Sequence, residues 1–450
     1  MPPKSGTKFH KNSKAPKCPS ATSLPHVKAT YLVIVESPSK ITKIKSYLGP
    51  EYDVIATCGH LCTLDKLPWK DIQYHKRFEP IYTIIDTKKA HIREMSNIIQ
   101  QYPPDRIMLA TDNDREGESI AYHICQIFDL SVPSTIRILF NEITQDALVK
   151  AVALQHQTRI NMPLVHAQQA RQVLDLMIGF KISPLLWKYV YYSKDNVLSA
   201  GRCQTPALCL IYDQDQQPDT SHYSYKTIGQ FFPHPHTLSF ELNHAFTQPE
   251  EIKVFMDLST TYAHSFQVHE KKESTRSPPL PFHTSGLLQS ASNVLHYSPK
   301  VTNQLAQKLY QKGYITYLRT EAKTYSQDFL SQATTFITNK YGINHVGTLS
   351  QISNQQVTLP HEAIRVTKID KQDIDDEEDD SIKALYKLIW RNTVESCMSE
   401  AQFHTYKVTI DAPQKHTYVT TMEVPISLGW MKVQNRLYRS SYVEHILTIG

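Results

Sequence analysis

The sequence lacks the long apolar stretches that would place it in or across a membrane. Hydrophobic residues make up 40% of the 450 positions, yet no run of about 18 apolar residues occurs, so no transmembrane helix is expected. The N-terminus carries lysines but no apolar signal-peptide core, so secretion is not expected either. The seven cysteines are scattered. Their odd number argues against a disulfide framework and fits an intracellular, reducing compartment.

Two common site signatures are also missing. No Gly-x-x-x-x-Gly-Lys-Ser/Thr loop occurs, so a P-loop nucleotide site is not expected. Cys58, His60 and Cys62 stand close together, but no second ligand pair follows them at zinc-site spacing. Alternation along a strand explains their spacing equally well, so a zinc site is disfavoured.

Acidic residues are absent from the first 35 positions, where lysines stand among Pro, Ser, Thr and Gly. This composition predicts a disordered basic tail over residues 1–28. Such a tail could contact nucleic acid, a membrane surface or a nuclear import receptor, or it could be a solvated leader without a function. Beyond it, the length of the chain predicts several domains.

A buried strand followed by a charged turn opens the ordered part of the chain. Residues 31–35 form a continuous apolar run, as in a parallel strand covered on both faces. The turn Glu36-Ser37-Pro38-Ser39-Lys40 follows, and we predict a helix from about Ile41 to Leu48. A carboxylate at the end of such a strand lies where α/β sheets keep their sites, and the helix N-terminus beyond it can bind an anion.

A second junction of strand and loop carries three alternating acids. Residues 106–111 predict a strand, and Asp112, Asp114 and Glu116 follow on what we expect to be an extended loop before another helix. Together with Glu36, these carboxylates would repel each other unless a cation neutralised them. Oxygen ligands of this kind suit Mg²⁺. The alternative is a solvated acidic loop that caps a helix.

The segment Tyr314–Glu321 is the candidate catalytic stretch. We predict a helix that begins at Ser298 and Pro299 and stops at Gly313. A short strand should follow it, with Tyr317 and Arg319 on the same face. A tyrosine hydroxyl beside a fixed guanidinium could attack a phosphodiester. The alternative is a core tyrosine beside a surface arginine.

From about Leu154 the pattern changes to long helices. They should expose Arg171, Arg202 and Gln204, and such donors suit phosphate contacts. Ion pairing on the helix surface explains the arginines equally well.

Five segments together resemble type IA DNA topoisomerases. Glu36-Ser37-Pro38-Ser39-Lys40 and Asp112-Asn113-Asp114-Arg115-Glu116-Gly117-Glu118 resemble the paired motifs of the family's TOPRIM domain. Ser199-Ala200-Gly201-Arg202-Cys203-Gln204 is similar to the single-strand-binding segment. Tyr317-Leu318-Arg319-Thr320-Glu321 resembles the Tyr-x-Arg-Thr-Asp motif, with glutamate for aspartate, and His361-Glu362-Ala363-Ile364-Arg365 matches a further family segment. The resemblance covers roughly residues 31–430.

The resemblance implies a multidomain α/β + α + β protein arranged as a torus. Its parts would be a Rossmann-like α/β TOPRIM domain, a helical strand-binding domain, a β hinge domain and a winged-helix-like catalytic domain. The expected boundaries are 1–28 for the tail, 29–153 for TOPRIM, 154–217 for the first part of the helical domain, 218–278 for the first part of the hinge, 279–401 for the catalytic domain and 402–450 for a truncated return into the hinge.

The resemblance also implies the chemistry. Tyr317 would attack a phosphate of single-stranded or negatively supercoiled DNA and form a 5′-phosphotyrosine without ATP. The implied catalytic set is Tyr317, Arg319, Glu36, Lys40 and His361. Mg²⁺ would be the cofactor, with Asp112, Asp114, Glu116 and Glu36 as its ligands. The implied DNA-binding set is Arg171, Arg202, Gln204, Glu321 and Arg365.

Other functions remain open at this point. A TOPRIM nuclease or primase would share the acids but not the tyrosine segment. A non-catalytic single-strand DNA-binding protein is the second alternative. In the family the sequence continues and completes the strand-binding domain, so we expect a fragment, a split protein or a reduced variant that a second chain or a further C-terminal region would complete.

Overall fold

The computed structural model describes residues 29–64, 72–73, 76, 78–154, 158–191, 197–216, 223–231, 238–353, 361–375, 377 and 379–434. The predicted basic tail and the end of the predicted hinge return, from residue 435 on, lie outside these ranges. The chain divides into two compact units, Met1–Arg202 and Cys203–Gly450.

The first unit is built on a parallel sheet. Its four strands are β1 (Tyr31–Val35), β2 (Tyr52–Ala56), β7 (Ile107–Leu109) and β8 (Ile136–Arg137), in the order β2-β1-β7-β8. Two small ribbons pair β3 (Cys62–Leu64) with β6 (Tyr82–Ile84) and β4 (Ile72–Gln73) with β5 (Glu79–Pro80). The helices are α1 (Ile41–Leu48), α2 (Lys89–Ile99), α3 (Arg115–Ile127), α4 (Gln145–Ala153) and α5 (Met162–Tyr189).

The sequence pattern explains this sheet. The apolar run of β1 is buried from Leu32 to Val35, as a parallel strand covered on both faces requires. Helix α3 buries Ile120 and Ile124 in the same core. The predicted strand and the predicted helix at 41–48 are therefore confirmed, and both put their polar ends at one edge of the sheet.

The second unit contains an antiparallel sheet. Its strands are β9 (Tyr225–Phe231), β10 (Leu238–Phe246), β11 (Phe266–Val268), β12 (Lys272–Arg276), β13 (Ala401–Asp411) and β14 (Thr417–Ser427). Because β10 pairs with β14, strands from two distant parts of the chain share one sheet. Helix α7 (Pro249–Ser259) lies within residues 218–278, which we expected to be the first part of a β hinge domain.

The described part of the second unit also contains α-helices. They are α6 (Gln204–Asp215), α8 (Thr284–Leu295), α9 (Pro299–Gln311), α10 (Gln327–Tyr341) and α11 (Asp380–Ser396). The predicted start of α9 is confirmed, because the Ser298 hydroxyl accepts a hydrogen bond from the Val301 amide at 3.3 Å. Gly313, with φ of 68°, ends this turn as predicted.

The predicted strand over residues 314–321 is wrong. Ile315 forms a single isolated bridge with Val366, and residues 315–318 are all buried instead of alternating. Tyr317 is buried and Arg319 is exposed, so the expectation that they share one face of a strand loses its basis.

None of the helices in the described ranges is long and apolar enough to cross a membrane.

Candidate active site

The acid loop (residues 111–118) lies at the carboxyl edge of the parallel sheet. Asp112 is 7% exposed, and its carboxylate forms an ion pair with Lys40, whose side chain is fully buried. We expected a cation to neutralise the acids, and in the structure the Lys40 ammonium does so for Asp112. Glu36 follows β1 as a half-buried residue, and its carbonyl accepts a hydrogen bond from the Gly59 amide at 3.1 Å.

The other two acids belong to the start of α3. Asp114 is the N-cap, since its carboxylate accepts a hydrogen bond from the Gly117 amide at 2.7 Å. Glu116 lies in the first turn, where a negative charge favours the helix dipole. The expected alternation along an extended loop is therefore wrong beyond Asp114. His60 lies beside these acids: burial lowers the pKa of its imidazole, while the charges of Glu116 and Asp114 partly offset that effect.

Gly117 allows α3 to pack directly on the acid loop. A Cβ atom at this position would lie 2.0 Å from the Asp112 carbonyl oxygen, which is closer than any real contact. The Thr111 hydroxyl donates to the Gly117 carbonyl at 2.7 Å. The main chain at Asp112 is thus held against the helix by a contact that only glycine permits.

Two buried charges near this loop were missed by the sequence reasoning. Arg137 on β8 is fully buried and forms an ion pair with Glu118 at 2.8 Å. Glu118 stands in the same acidic segment as the predicted ligands, but no signal in the sequence indicated that Arg137 is its partner.

The described residues contain no ready group of three His, Cys, Asp or Glu side chains that could hold a metal ion. As the side chains stand, Asp112 is paired with Lys40 and Asp114 caps α3. Mg²⁺ requires only one or two carboxylates and keeps several waters, so the chemistry of this donor set still fits that ion.

Tyr317 lies in the second unit with its side chain 2% exposed. Its ring stacks on the imidazole of His361, with centroids 5.9 Å apart and planes 25° apart, and the ring of Tyr310 packs edge-on at 5.2 Å. The structure therefore brings together two residues of the predicted catalytic set. They are 44 positions apart in the sequence.

Hydrogen bonds on both sides fix the segment around Tyr317. The Thr316 amide donates to the Arg365 carbonyl at 2.9 Å, and the Thr316 hydroxyl donates to the Ala363 carbonyl at 2.9 Å. Beyond Tyr317, the Thr284 hydroxyl lies 2.8 and 3.0 Å from the carbonyl oxygens of Leu318 and Thr320, and its one proton can be donated to either. The tyrosine backbone is thus held between the 361–367 segment and the start of α8.

Arg365, which the sequence predicts to be a DNA contact, is buried against an acid in the structure. Its side chain is 5% exposed and makes two hydrogen bonds to the Glu362 carboxylate, at 2.9 and 2.7 Å. The guanidinium also lies over the Phe329 ring, 4.1 Å from its centroid. A buried, bidentate pair of this kind orders the 361–366 segment. Arg319 and Glu321, by contrast, are exposed, as contacts with DNA would require.

The predicted strand-binding arginines are paired with an acid. Arg171 on α5 and Arg202 both approach the Asp175 carboxylate, at 3.8 and 2.9 Å. This is the ion pairing that the sequence left open, and the side chains are about 35–47% exposed. Gln204 is the exposed first residue of α6 in the second unit.

A cleft of about 1330 Å³ opens between the small ribbons, α3 and α5. His123 lines it and is 3% exposed, and neither ring nitrogen has a hydrogen-bond partner among the described residues. The ring of Tyr82 lies 4.3 Å away. Burial, with a contribution from nearby His60, lowers the pKa of His123 to about 4.

Comparisons with known proteins all find DNA topoisomerases or their domains. The model of a DNA topoisomerase family matches residues 159–446, and the model of the Toprim domain matches residues 31–143. A DNA topoisomerase 1 from Buchnera aphidicola subsp. Schizaphis graminum is 33% identical over 465 residues, which cover 93% of this chain and 52% of that protein. The structure of full-length topoisomerase I from Thermotoga maritima is similar with a TM-score of 0.75 at 30% identity, covering 90% of this chain and 67% of that one. The chain therefore spans about half the length of the curated relative.

Proposed function

Since this chain belongs to the type IA DNA topoisomerase family, we propose that it cuts one strand of DNA transiently, allows strand passage and reseals the cut without ATP. The substrate would be single-stranded or negatively supercoiled DNA, and the outcome would be relaxation of negative supercoils. The observation that carries this proposal is the fixed tyrosine segment, in which the Tyr317 ring stacks on His361.

The cutting step exchanges one phosphate ester for another. The phenolic oxygen of Tyr317 loses its proton and bonds to phosphorus, and the bond from phosphorus to the 3′ oxygen breaks, so that one proton passes in net terms from the phenol to the 3′ oxygen. Free tyrosine has a pKa near 10 and is a weak nucleophile at neutral pH. We assign Arg319 and Lys40 to stabilising charge on the phosphate and Glu36 to supplying the proton that the leaving 3′ oxygen takes up. Resealing is the reverse step.

His361 and Arg365 receive different roles. His361 stacks on the Tyr317 ring, so a phosphate held by the tyrosine oxygen would lie within reach of its imidazole. Arg365 is turned into its pair with Glu362, and we assign it to holding the backbone that fixes Thr316 and, through it, Tyr317.

Mg²⁺ is the cofactor that the acid loop suits. We propose that Asp112, Asp114, Glu116 and Glu36 hold it, because all four offer oxygen atoms only. When bound, the ion would position the 3′ end for resealing. The chain's own contribution is to keep these carboxylates at one edge of the sheet, where Lys40 balances the charge of Asp112.

The decisive experiment traps the covalent intermediate. The chain is incubated with a single-stranded oligonucleotide labelled on either side of the cut and is then denatured. We expect label on the protein only from the 5′-phosphate side. Tyr317→Phe should abolish the adduct while binding of the oligonucleotide persists, because only one hydroxyl is removed.

Tyr314→Phe is the matched control, since it removes a hydroxyl from the same segment at a side chain that packs on Tyr386. It should leave the adduct intact. An adduct that survives in Tyr317→Phe, or that carries the 3′ side of the break, would refute the assignment. Binding without any adduct in the unmodified chain would favour a non-catalytic single-strand-binding protein.

A further inference from the structure

The guanidinium of Arg137 forms hydrogen bonds with four groups at the end of the sheet where the acid loop lies. Its Nη2 donates to the Asp112 carbonyl at 2.8 Å, and its Nη1 donates to the Leu109 and Ile138 carbonyls at 3.2 and 2.8 Å. Its Nε donates to the Glu118 carboxylate at 2.8 Å. The planar fork of an arginine can make these bonds at once, whereas a lysine offers a single compact charge.

Glu118 extends this connection to the long helix. One carboxylate oxygen accepts a hydrogen bond from Arg137, and the other accepts one from the backbone N–H of Asn161 at 2.9 Å. Asn161 is the N-cap of α5, where its side chain accepts from the Leu164 amide at 3.2 Å. A continuous chain of hydrogen bonds therefore runs from the Asp112 main chain, through the two buried charges, to the first turn of the helix that carries Arg171.

Stability alone does not account for this pair. Arg137 is 0% and Glu118 is 1% exposed, and removing two charges from water is expensive. Replacing such a pair with apolar side chains of similar volume is often neutral or stabilising. Apart from their mutual bond, the two side chains form hydrogen bonds with backbone groups at the ends of β7 and β8, in the acid loop and at the N-cap of α5. We therefore infer that the pair contributes position.

We propose that the Arg137–Glu118 pair is a positioning element that holds the Asp112 main chain in register with the start of α5. It couples the place where Mg²⁺ is held to the helix that holds the DNA strand. This inference rests on the proposed function in one respect, the assignment of the acid loop to Mg²⁺. Neither residue touches the metal or the DNA, and both act through Asp112 and Asn161.

Three variants test the proposal. Arg137→Met with Glu118→Met replaces the pair with apolar side chains and removes the connection. Arg137→Lys keeps the charge but not the fork. Lys45→Met with Asp53→Met is the matched control, because it removes another ion pair of the first unit, at 2.7 Å, that has no bond to the acid loop.

Amide hydrogen exchange is the first measurement, and it does not depend on activity or on metal. In the double methionine variant, peptides covering residues 111–117 and 158–165 should exchange faster, while those from β9 and β10 keep their rates. The control pair should change neither of the two regions. If the double variant fails to fold, Arg137→Lys is compared in the same way and should show the same pattern.

Mg²⁺ binding, measured by calorimetry without DNA, is the second measurement. Loss of groups that orient metal ligands typically weakens metal affinity about 10- to 100-fold, so we expect the midpoint to rise about tenfold in the double variant and in Arg137→Lys. Resealing should need correspondingly more Mg²⁺, while the amount of adduct formed stays near that of the unmodified chain.

Unchanged exchange in both regions would overturn the proposal, as would full function in Arg137→Lys, because charge alone would then suffice. An unmodified chain that binds no Mg²⁺ would refute the metal assignment instead, and the exchange pattern would still decide whether the pair positions Asp112 against α5.

Discussion

The acid loop and the distal half of α5 belong to the same unit, yet they differ in how far the described residues complete them. Around the loop, Lys40, Asp112, Glu118 and Arg137 are 0–7% exposed, and each charge meets a partner. Along α5, large apolar side chains stay open, such as Leu185 at 51% and Tyr189 at 71%. The charged side chains of the loop are buried by neighbouring residues, whereas the apolar side chains of the distal half of α5 are exposed in the described structure.

The sequence of α5 explains the difference. Apolar residues lie on all sides of its distal half: Leu174, Leu176, Met177, Ile178, Phe180, Ile182, Leu185, Leu186 and Trp187. A helix that is apolar all round is normally a buried helix. Neighbouring exposed apolar side chains can mark a surface that another polypeptide covers. The chain spans only 52% of the curated relative and 67% of the solved one, so the occupant we propose is the remaining portion of the family's sequence.

The largest effect should come from supplying that portion. We expect the 450-residue chain alone to relax negatively supercoiled plasmid very slowly or not at all. A polypeptide carrying the remainder of a full-length relative, fused or added as a second chain, should restore relaxation in a gel assay.

A variant with two negative charges on the exposed face of α5 tests whether this face forms the contact. Leu185→Glu with Trp187→Glu should block this restoration but leave the Tyr317 adduct unchanged. Rapid relaxation by the unmodified chain at ordinary salt would contradict the comparison, because the exposed helix would then need no cover.

Removing one acid should lower the free energy of unfolding by different amounts in the two regions. Asp112→Ala leaves the buried Lys40 ammonium without its carboxylate, and breaking such a pair typically costs about 3–5 kcal/mol. Asp175→Ala removes the partner of two part-exposed arginines and should cost under about 1 kcal/mol.

Urea unfolding of the two variants measures both free energies. Lys40→Met together with Asp112→Asn should recover much of the larger loss, since it leaves no buried charge unpaired. Equal costs at the two sites would mean that the Lys40–Asp112 pair is as solvated as the pairs on α5.

A third test concerns the pH dependence of stability and the buried His123 on α3. Burial holds the pKa of His123 near 4, against 6.5 for the unperturbed side chain. Between these values the unfolded chain binds the extra proton, so the free energy of unfolding should fall as pH drops from about 6.5 to 4. The full loss corresponds to about 3 kcal/mol.

His123→Phe keeps a ring beside Tyr82 and removes the two ring nitrogens, which have no hydrogen-bond partner in the described part of the chain. It should flatten the pH dependence and stabilise the chain more and more as the pH falls from about 6.5 to about 4, as measured by unfolding at several pH values. His166→Phe, an exposed position on the same cleft, serves as the control and should leave the slope unchanged. A His123→Phe variant with the original slope would assign the titration to another group.

The parts that sequence reasoning predicted well are those that local chemistry decides. The apolar run of β1, helix α1 and the Ser298 cap of α9 depend on residues within a few positions of each other. The strand over 314–321 was wrong because its partner supplies one isolated bridge, at Val366, and tertiary burial replaced the expected alternation.

The pairing of charges could not be predicted, because it depends on contacts between distant positions. Lys40 and Asp112 are 72 positions apart, and Arg137 has no motif that assigns it to Glu118. The sequence identified the chemistry-bearing residues of the acid loop, but it treated Lys40 and Asp112 as separate ligands of phosphate and metal. It also assigned Arg365 to DNA, although the neighbouring Glu362 takes up its guanidinium.

The smallest effect concerns the arginines of α5 and how firmly Asp175 holds them. If Arg171 and Arg202 contact phosphates, their pairing with Asp175 competes with DNA for the same charges. Asp175→Asn should therefore strengthen binding of a single-stranded oligonucleotide and steepen its salt dependence. Arg202→Gln should weaken binding and reduce the slope of log K against log salt by about 0.7, the value for one phosphate contact on a single strand. Titrations at several salt concentrations measure both slopes.

Lys188→Gln, at the exposed end of the same helix, is the matched loss of one positive charge and should change the slope less. Identical slopes in Arg202→Gln and the unmodified chain would show that Arg202 serves the ion pair alone.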